Sequence, residues 1–214
     1  MSGGLPPAAP ARFVLVLAVL FGFEWIALAI APRHRQDWAL ENVLTAAFVA
    51  ALTLLRRPLS LSSMSCIVFV FLSLHTIGAH YTYSEVPYDE WARALTGRSI
   101  NEGFGWRRNH FDRLVHLAYG LLLAYPTRQV LIRLAGVRGA RSYYLALAMT
   151  VSTSSAYELI EWGAALVFGG DLGVAYVGAQ GDVWDTQKDM ALAMSGALFS
   201  MILLGVRNTW RGNA

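Results

Sequence analysis

The sequence is poorest in cysteine and lysine, with one residue of each, Cys66 and Lys188, in a chain of 214 residues. A single cysteine excludes an intrachain disulfide framework and a metal cluster held by several thiolates. Charged residues are scarce as well, at 14% of the chain, whereas about 25% is usual in soluble domains. Hydrophobic residues reach 56% and gather in long apolar runs. The composition therefore predicts an integral membrane protein.

Apolar windows of about the length of a membrane span occur six times along the chain. They predict one all-α domain, residues 1–214, built as a polytopic bundle of about six transmembrane helices. The windows cover residues 13–31, 38–55, 62–82, 112–132, 143–166 and 186–206. Outside them we predict a short flexible N-terminus at 1–12, an interfacial loop or helix at 84–109 and a glycine-rich loop at 169–181.

The interfacial segment carries the signals of a short helix that lies flat on the bilayer. Pro87 stands at a predicted helix start and Gly97 at a predicted helix end, which is the usual asymmetry of these two residue types. Trp91 and Trp106 are typical of side chains anchored at the level of the lipid head groups. We therefore expect this segment to lie at the membrane surface.

The placement of arginine predicts an orientation. Six spans put both termini on one side of the membrane, together with the connections at 56–61 and 133–142, and this side has nine basic residues and no acidic residue. The other side has eight basic residues, so the difference is small, but acid-free arginine loops favour the cytoplasm. We expect a multi-pass protein of the bacterial inner membrane with cytoplasmic N- and C-termini and no nucleic-acid partner.

The ionisable side chains of the six predicted spans share one end of the bundle. Each lies late in a span that runs outward or early in a span that returns. These residues are Glu24, Asp37, Glu41, His75, His80, Asp112, His116, Glu158, Glu161, Asp182, Asp185 and Asp189. In the predicted orientation they occupy the extracytoplasmic half of the membrane.

Some of these acids have a purely structural interpretation. Asp182 with Asp185, and Asn109 with Asp112, have the spacing of helix-capping pairs. Lys188 follows Asp185 by three residues, which favours an i,i+3 salt bridge at the start of the last helix. At these positions capping and a functional role are equally compatible with the sequence.

Other buried acids need a counter-ion. His116 and Asp189 lie two turns into their predicted helices, beyond the reach of capping. Glu158 and Glu161 are three residues apart on one helix face, near a C-terminus where the macrodipole disfavours negative charge. Glu161 lies about 10 Å inside its apolar run at 1.5 Å per residue. A carboxylate within the membrane costs about 2.5–3.5 kcal/mol on insertion scales, so we expect these charges to be compensated.

A divalent metal ion is the predicted cofactor, because one ion would neutralise several carboxylates. Mixed imidazole and carboxylate ligands suit Zn, Mn or Fe(II), and carboxylates alone suit Mg. The predicted catalytic residues are Glu158 and Asp112, either of which would act as a general base. The predicted metal ligands are His75, His80, His116, Glu161, Asp185 and Asp189. The alternative is a hydrogen-bonded polar core in which some of the acids are protonated.

Long motifs in the chain resemble the YjdF-like family of bacterial inner-membrane proteins. They are HRQDWALENVL at 34–44, SLHTIGAHYTYSEVPYDEW at 73–91, NHFDRLVHLAYGLL at 109–122, SAYELIEW at 155–162 and GAQGDVWDTQKDM at 178–190. The resemblance covers nearly everything after the first predicted helix. It implies a multi-span membrane protein and brings no catalytic residue with it.

The second half is also similar, more distantly, to VanZ-like proteins of the cell envelope. Asp112 and His116 stand where those proteins have an aspartate and a histidine, and their later glutamate and aspartate would fall in 158–161 and 185–189. Arg113 replaces a lysine of that pattern and Leu117 a phenylalanine. The similarity implies a related polar scaffold and no particular substrate.

Three functions fit these features. The first is a metal-dependent membrane enzyme, surrounded by lipids, that acts on a lipid-linked or envelope substrate. The second is an ion- or proton-coupled transporter, since acids within spans also mark ion paths, although here they occupy only one half of the membrane. The third is a non-catalytic envelope factor whose polar core fixes the helix packing. None of the three specifies an oligomeric state.

Overall fold

The computed structural model describes residues 11–59, 64–170, Gly173 and 177–210. This part of the chain forms eight α-helices and no strand, as the all-α prediction requires. The helices are α1 (Ala11–Leu28), α2 (Arg35–Leu59), α3 (Ser65–Tyr81), α4 (Tyr88–Thr96), α5 (Ile100–Phe104), α6 (Phe111–Leu134), α7 (Ala140–Phe168) and α8 (Asp185–Trp210). Most of the N-terminus predicted to be flexible lies outside the described residues, and so does part of the predicted glycine-rich loop.

All six predicted spans coincide with helices, namely α1, α2, α3, α6, α7 and α8. By length and composition, α2 over Arg35–Leu54 and the whole of α8 can cross a membrane. The segment formed by α3 and Tyr83–Thr96 also qualifies, as a pair bent by 82°. Helices α6 and α7 carry buried histidine, glutamate, serine and threonine side chains, which lower their mean hydropathy. The chain is a helical membrane protein, and the count of six spans stays a prediction.

The connection between α3 and α6 contains the short helix that its proline and glycine predict. Pro87 precedes α4, and Gly97 ends it with φ of 72° while donating its N–H to the carbonyl of Arg93. Asp89 ties α4 to α5, since it accepts hydrogen bonds from Ser99 Oγ at 2.9 Å and from the backbone N–H of Asn101 at 2.9 Å. The boundaries of the helix are confirmed, and its location at the membrane surface stays a prediction.

The closest helix packing joins α6 to α8. A Cβ at Gly120 would collide with the carbonyl oxygen of Ala193, and a Cβ at Gly196 would collide with the carbonyl oxygen of Leu117. Glycine at both positions lets the two backbones touch, as small residues do in other membrane helix pairs. This contact fixes the first turns of α6 and α8 beside each other.

The remaining long helices pack around that pair. Ala124, Ala146, Ala197 and Met201 form a core shared by α6, α7 and α8. Leu123, on α6, joins a second core with residues of α3. Helix α1 packs on α3, and α2 packs on α3 and α6. The starts of α6 and α8 therefore lie at the same end of the bundle as the ends of α3 and α7.

We expect Gly120→Ala to destabilise the protein, because the added methyl group would push α8 away from α6. Overpacking of this kind costs roughly 1–3 kcal/mol. Gly22→Ala is the matched control, since a Cβ at Gly22 has no neighbour within 4 Å and alanine is favoured over glycine within a helix by about 0.5–1 kcal/mol. Thermal unfolding in detergent, followed by circular dichroism, should show a lower Tm for Gly120→Ala alone. Equal Tm values for the two variants would contradict the close contact.

Candidate functional site

Acids and histidines from three long helices converge at the end of the bundle where α6 and α8 begin. Helix α6 supplies Asp112 and His116, one turn apart, and α8 supplies Asp189 from its second turn. Helix α7 supplies Glu158 and Glu161 from its last three turns. Asp112 has 13% of its side chain exposed, and the other four residues are buried. Spacings of three and four residues put each pair on one helix face.

The centre of the site consists of Asp112, His116 and Asp189. Each offers one potential ligand atom, and these atoms lie within 4.8 Å of one another. His116 Nε2 lies 3.5 Å from Asp112 Oδ1 and 3.4 Å from Glu158 Oε1. Asp189 Oδ1 and Glu158 Oε1 are buried without a hydrogen-bond partner among the described residues. One imidazole and several carboxylate oxygens therefore surround a single position.

Two arginines from the connection before α6 and from its first turn neutralise a neighbouring pair of aspartates. Asp185 Oδ1 forms an ion pair with Arg108 Nη2 at 2.8 Å and accepts a hydrogen bond from Arg113 Nη2 at 3.1 Å. The same Arg113 nitrogen donates to Asp182 Oδ2 at 2.6 Å, and Lys188 Nζ reaches that oxygen at 2.6 Å. We call these five residues the arginine clamp. Arg108, Arg113 and Lys188 are thus paired with Asp182 and Asp185. In the described part of the chain, no arginine or lysine is paired with Asp112, Glu158 or Asp189.

The clamp corrects two structural expectations. Lys188 pairs with Asp182 rather than with Asp185, because α8 begins at Asp185 and the lysine side chain turns back toward the preceding loop. Asp182 lies three residues before the helix, where its Oδ1 accepts the backbone N–H of Trp184 at 3.1 Å. Asp185 is therefore the first helical residue and not the third residue of a capping box. Asn109 does support the start of α6, since its Oδ1 accepts the N–H of Phe111 at 2.9 Å.

The pKa of Asp182 is lowered below its ordinary value, chiefly by the hydrogen bond from Lys188 and then by the backbone N–H of Trp184 and by Arg113. The loop also binds α6 through uncharged groups. Gln180 Oε1 accepts the N–H of Asn109 at 3.0 Å, and Gln180 Nε2 donates to the Asn109 carbonyl at 3.0 Å. The loop before α8 is thus fastened to the start of α6 directly beside the site.

A second polar group lies across the bundle and contains the predicted ligand His75. His75 Nε2 is 4.0 Å from Glu41 Oε2, and its Nδ1 is hydrogen-bonded to the hydroxyl of Tyr83. Tyr157 donates to both carboxylate oxygens of Glu41, at 3.0 and 3.1 Å. Glu161 lies close enough to Tyr157 and Glu41 for both to interact with its carboxyl group. The predicted ligand Glu161 therefore links this group to the central one.

The eight residues predicted for the site thus fall into four places. Asp112, His116, Asp189 and Glu158 form the central group, while Asp185 is held by the arginine clamp. His75 and Glu161 contact the second group. His80, near the end of α3, lies apart from these groups. Its ring N–H donates to the carbonyl of Leu28, the last residue of α1, over 2.8 Å.

Sequence reasoning missed several residues that complete the site. Arg108 is one of several arginines in the connection before α6, and nothing in the sequence distinguishes it from the others. Its pairing with Asp185 follows only from the fold. In a hydrophobic sequence, Tyr83 and Tyr157 cannot be told from aromatic residues that only pack in the core. Glu41 belongs to the polar end of its predicted span, which is a usable signal, but its pairing with Tyr157 joins residues 116 positions apart in the chain.

A cavity of about 550 Å³ lies between α2, α3, α6 and α7. Its polar end is formed by His75, Tyr83, Asp112, His116 and Tyr157. Hydrocarbon side chains form most of its remaining wall. The two polar groups of the site therefore face one space, and a molecule in that space would contact both.

Comparisons with known proteins agree with this architecture. A family model described as "Predicted membrane protein (DUF2238)" matches residues 13–209. The inner membrane protein YjdF of Escherichia coli (strain K12) is 34% identical over 178 residues, which cover 82% of this chain and 80% of that protein. No solved structure matches the chain. The YjdF-like resemblance is confirmed, and the similarity to VanZ-like proteins stays a prediction.

We expect Asp182→Asn to lower the Tm in detergent at neutral pH, because it removes the charge that Lys188 and Arg113 bind. The folded state holds the pKa of Asp182 below its ordinary value of 3.8, so the ionised form stabilises the protein at every pH above that value. This stabilisation begins to fall as the pH drops below the ordinary value, and it is lost once the pH has passed through the lower folded value. The difference in Tm between the wild type and Asp182→Asn should therefore be constant from about pH 8 to 5 and shrink below about 4.

The control for this experiment is Glu102→Gln, which removes a salt bridge to Arg93 from a glutamate whose side chain is 72% exposed. Exposed pairs of this kind contribute little, so its Tm should stay close to that of the wild type. An Asp182→Asn protein that melts like Glu102→Gln at neutral pH would show that the clamp does not hold the loop.

Proposed function

The chain belongs to the DUF2238 family of membrane proteins, and we propose that it is a metal-dependent enzyme acting on a lipid-linked or envelope substrate. The observation that carries the proposal is the central group, in which Asp112, His116 and Asp189 bring their ligand atoms within 4.8 Å of one another at the end of a large cavity. One imidazole with carboxylates is a donor set that suits Zn, Mn or Fe(II) better than Mg.

Charge balance supports a bound cation. The central group and its neighbour Glu161 contain four carboxyl groups in the polar end of the bundle. The arginine clamp uses Arg108, Arg113 and Lys188 on other aspartates. Each ionised carboxylate within a membrane costs about 2.5–3.5 kcal/mol on insertion scales. A divalent ion between Asp112, His116 and Asp189 would offset two of these charges at one point.

The chain's own groups divide into ligands and a base. A divalent ion held here would supply a Lewis acid that polarises a phosphoryl or acyl oxygen and makes bound water more acidic. Glu158 is the candidate general base, because its Oε1 is buried, lacks a hydrogen-bond partner among the described residues and lies 3.4 Å from His116 Nε2. This assignment moves Asp112 from the predicted base to a ligand. Tyr83 and Tyr157 face the same cavity and would orient the substrate.

The site lies in the extracytoplasmic half of the inner membrane, with both termini in the cytoplasm. The support is the acid-free, arginine-bearing character of the predicted loops on the side of the termini. A green fluorescent protein fused to the C-terminus should fluoresce in cells, and alkaline phosphatase at the same position should be inactive. The opposite pair of results would place the site in the cytoplasmic half.

We expect the purified protein to hold about one divalent ion per chain after growth with added Zn, Mn and Fe, as measured by elemental analysis. Asp189→Asn and His116→Ala should lose the ion, because each removes a ligand of the central group. Glu158→Gln should retain it, since the base is not a required ligand. Asp182→Asn is a matched control in which an acid outside the central group is neutralised, and it should retain the ion as well.

Metal-free wild-type protein that is folded would contradict the proposal, and so would equal metal content in Asp189→Asn and Asp182→Asn. In that case proton flux in proteoliposomes would test the transporter interpretation. Flux that depends on Glu158 would support a carrier instead of an enzyme.

A further inference from the structure

The cavity that ends at the central group is long as well as apolar. Its wall follows α6 turn by turn from Asp112 to Val130, a distance of about 27 Å at 1.5 Å per residue. This length is close to the hydrocarbon thickness of a bilayer, about 30 Å. Polar groups of the site lie at one end, and the far end is lined by residues such as Leu123, Pro126 and Val130. The shape suits an extended chain with a polar group at one end.

The cavity opens sideways along the edge of α7. Met149 and Ile160 line it and are 43% and 50% exposed. Ala47 and Ala51 line it from α2 and are also exposed. Helix α2 packs on α3 and α6, whereas α7 packs on α6 and α8, so the gap between α2 and α7 forms the opening. In a membrane protein this opening faces lipid, and a ligand can enter from the bilayer without crossing water.

We infer that the cavity binds a single-chain lipid with an anionic head group, whose hydrocarbon chain lies along α6 and whose head reaches Asp112 and His116. The inference rests on the proposed function and specifies its substrate class. An anionic head group needs a cation beside Asp112 and His116, because the carboxylates there would otherwise repel it. The arginines beside the site are bound to Asp182 and Asp185, so the head group would be bound through the proposed metal ion.

The wall chemistry favours a lipid over a water-soluble substrate. Most of the cavity surface belongs to apolar side chains. A sugar or peptide placed there would lose its hydrogen bonds to water without replacing them. Beyond the polar end, the hydroxyl groups of the wall come from Thr45, Tyr119, Thr127, Thr153 and Ser154, and those of Tyr119 and Thr153 are hydrogen-bonded to each other. Thr153 already donates to the carbonyl of Met149 at 2.7 Å. A hydrocarbon chain needs no such partners.

Photolabelling tests the inference. The full-length protein would be reconstituted into vesicles of phosphatidylethanolamine and phosphatidylglycerol with Mn²⁺, together with a long-chain fatty acid that carries a diazirine. A diazirine at the methyl end should label peptides around Leu123 and Val130. A diazirine next to the carboxyl group should label peptides around Tyr83 and Tyr157. Exchange of these two patterns, or identical patterns from the two probes, would contradict the orientation of the lipid.

Ala51→Trp fills the cavity, and Ala50→Trp is its matched control. The two alanines are neighbours on α2 and both are exposed, but only Ala51 lines the cavity. Ala51→Trp should reduce labelling roughly tenfold, which corresponds to about 1.4 kcal/mol of binding free energy, while Ala50→Trp should label like the wild type. The Tm of both variants, measured in the same detergent, confirms that they are folded.

The two proposals can fail separately. If Ala51→Trp and Ala50→Trp label equally while the metal content of both is normal, the lipid inference is overturned and the metal site stands. If the wild type holds no metal, the proposed function is contradicted, and labelling that still depends on position 51 would support chain binding alone.

Discussion

Compensation of like charges within the bilayer is the constraint on which the rest of this structure depends. Asp112, Glu158, Glu161 and Asp189 meet at one end of the helical bundle. Close approach of α6 and α8 forces two of these acids together, because the glycines at their crossing admit no side chain. A fold that only had to be stable would avoid such a cluster. The proposed cation would offset the repulsion within this cluster.

The structure keeps the acids that are paired with arginine or lysine apart from the acids of the central group. The arginine clamp pairs Asp185 with Arg108 and Arg113 and thereby fastens the loop before α8 to the start of α6. Among the residues that the structure describes, no arginine or lysine is paired with the central group. The clamp fixes the position of α8, and through it the position of Asp189, while the negative potential of the central group remains available to a cation. Asp185, which holds the loop, and Asp189, which belongs to the candidate site, are thus only four residues apart on α8.

Much of the architecture could be predicted from the sequence, and the site only in part. Periodic apolar runs predicted the six long helices, and Pro87 and Gly97 predicted the ends of α4, because both signals are local. The gathering of acids at one end also followed from their positions within the runs. Which acids meet depends on helix rotation and on contacts between distant segments. His75 and His116 look equivalent in the sequence, yet one faces Glu41 and the other faces Asp189 and Glu158.

The central claim is that one imidazole, from His116, joins carboxylates of α6 and α8 around a single cation. Pulsed electron paramagnetic resonance of the protein loaded with Mn²⁺ tests it most directly, because nitrogen bound to the ion gives its own modulation of the signal. The account predicts the modulation of one imidazole in the wild type and in His75→Ala, and its loss in His116→Gln. A signal from oxygen ligands alone, or nitrogen modulation that disappears with His75→Ala, would contradict the account.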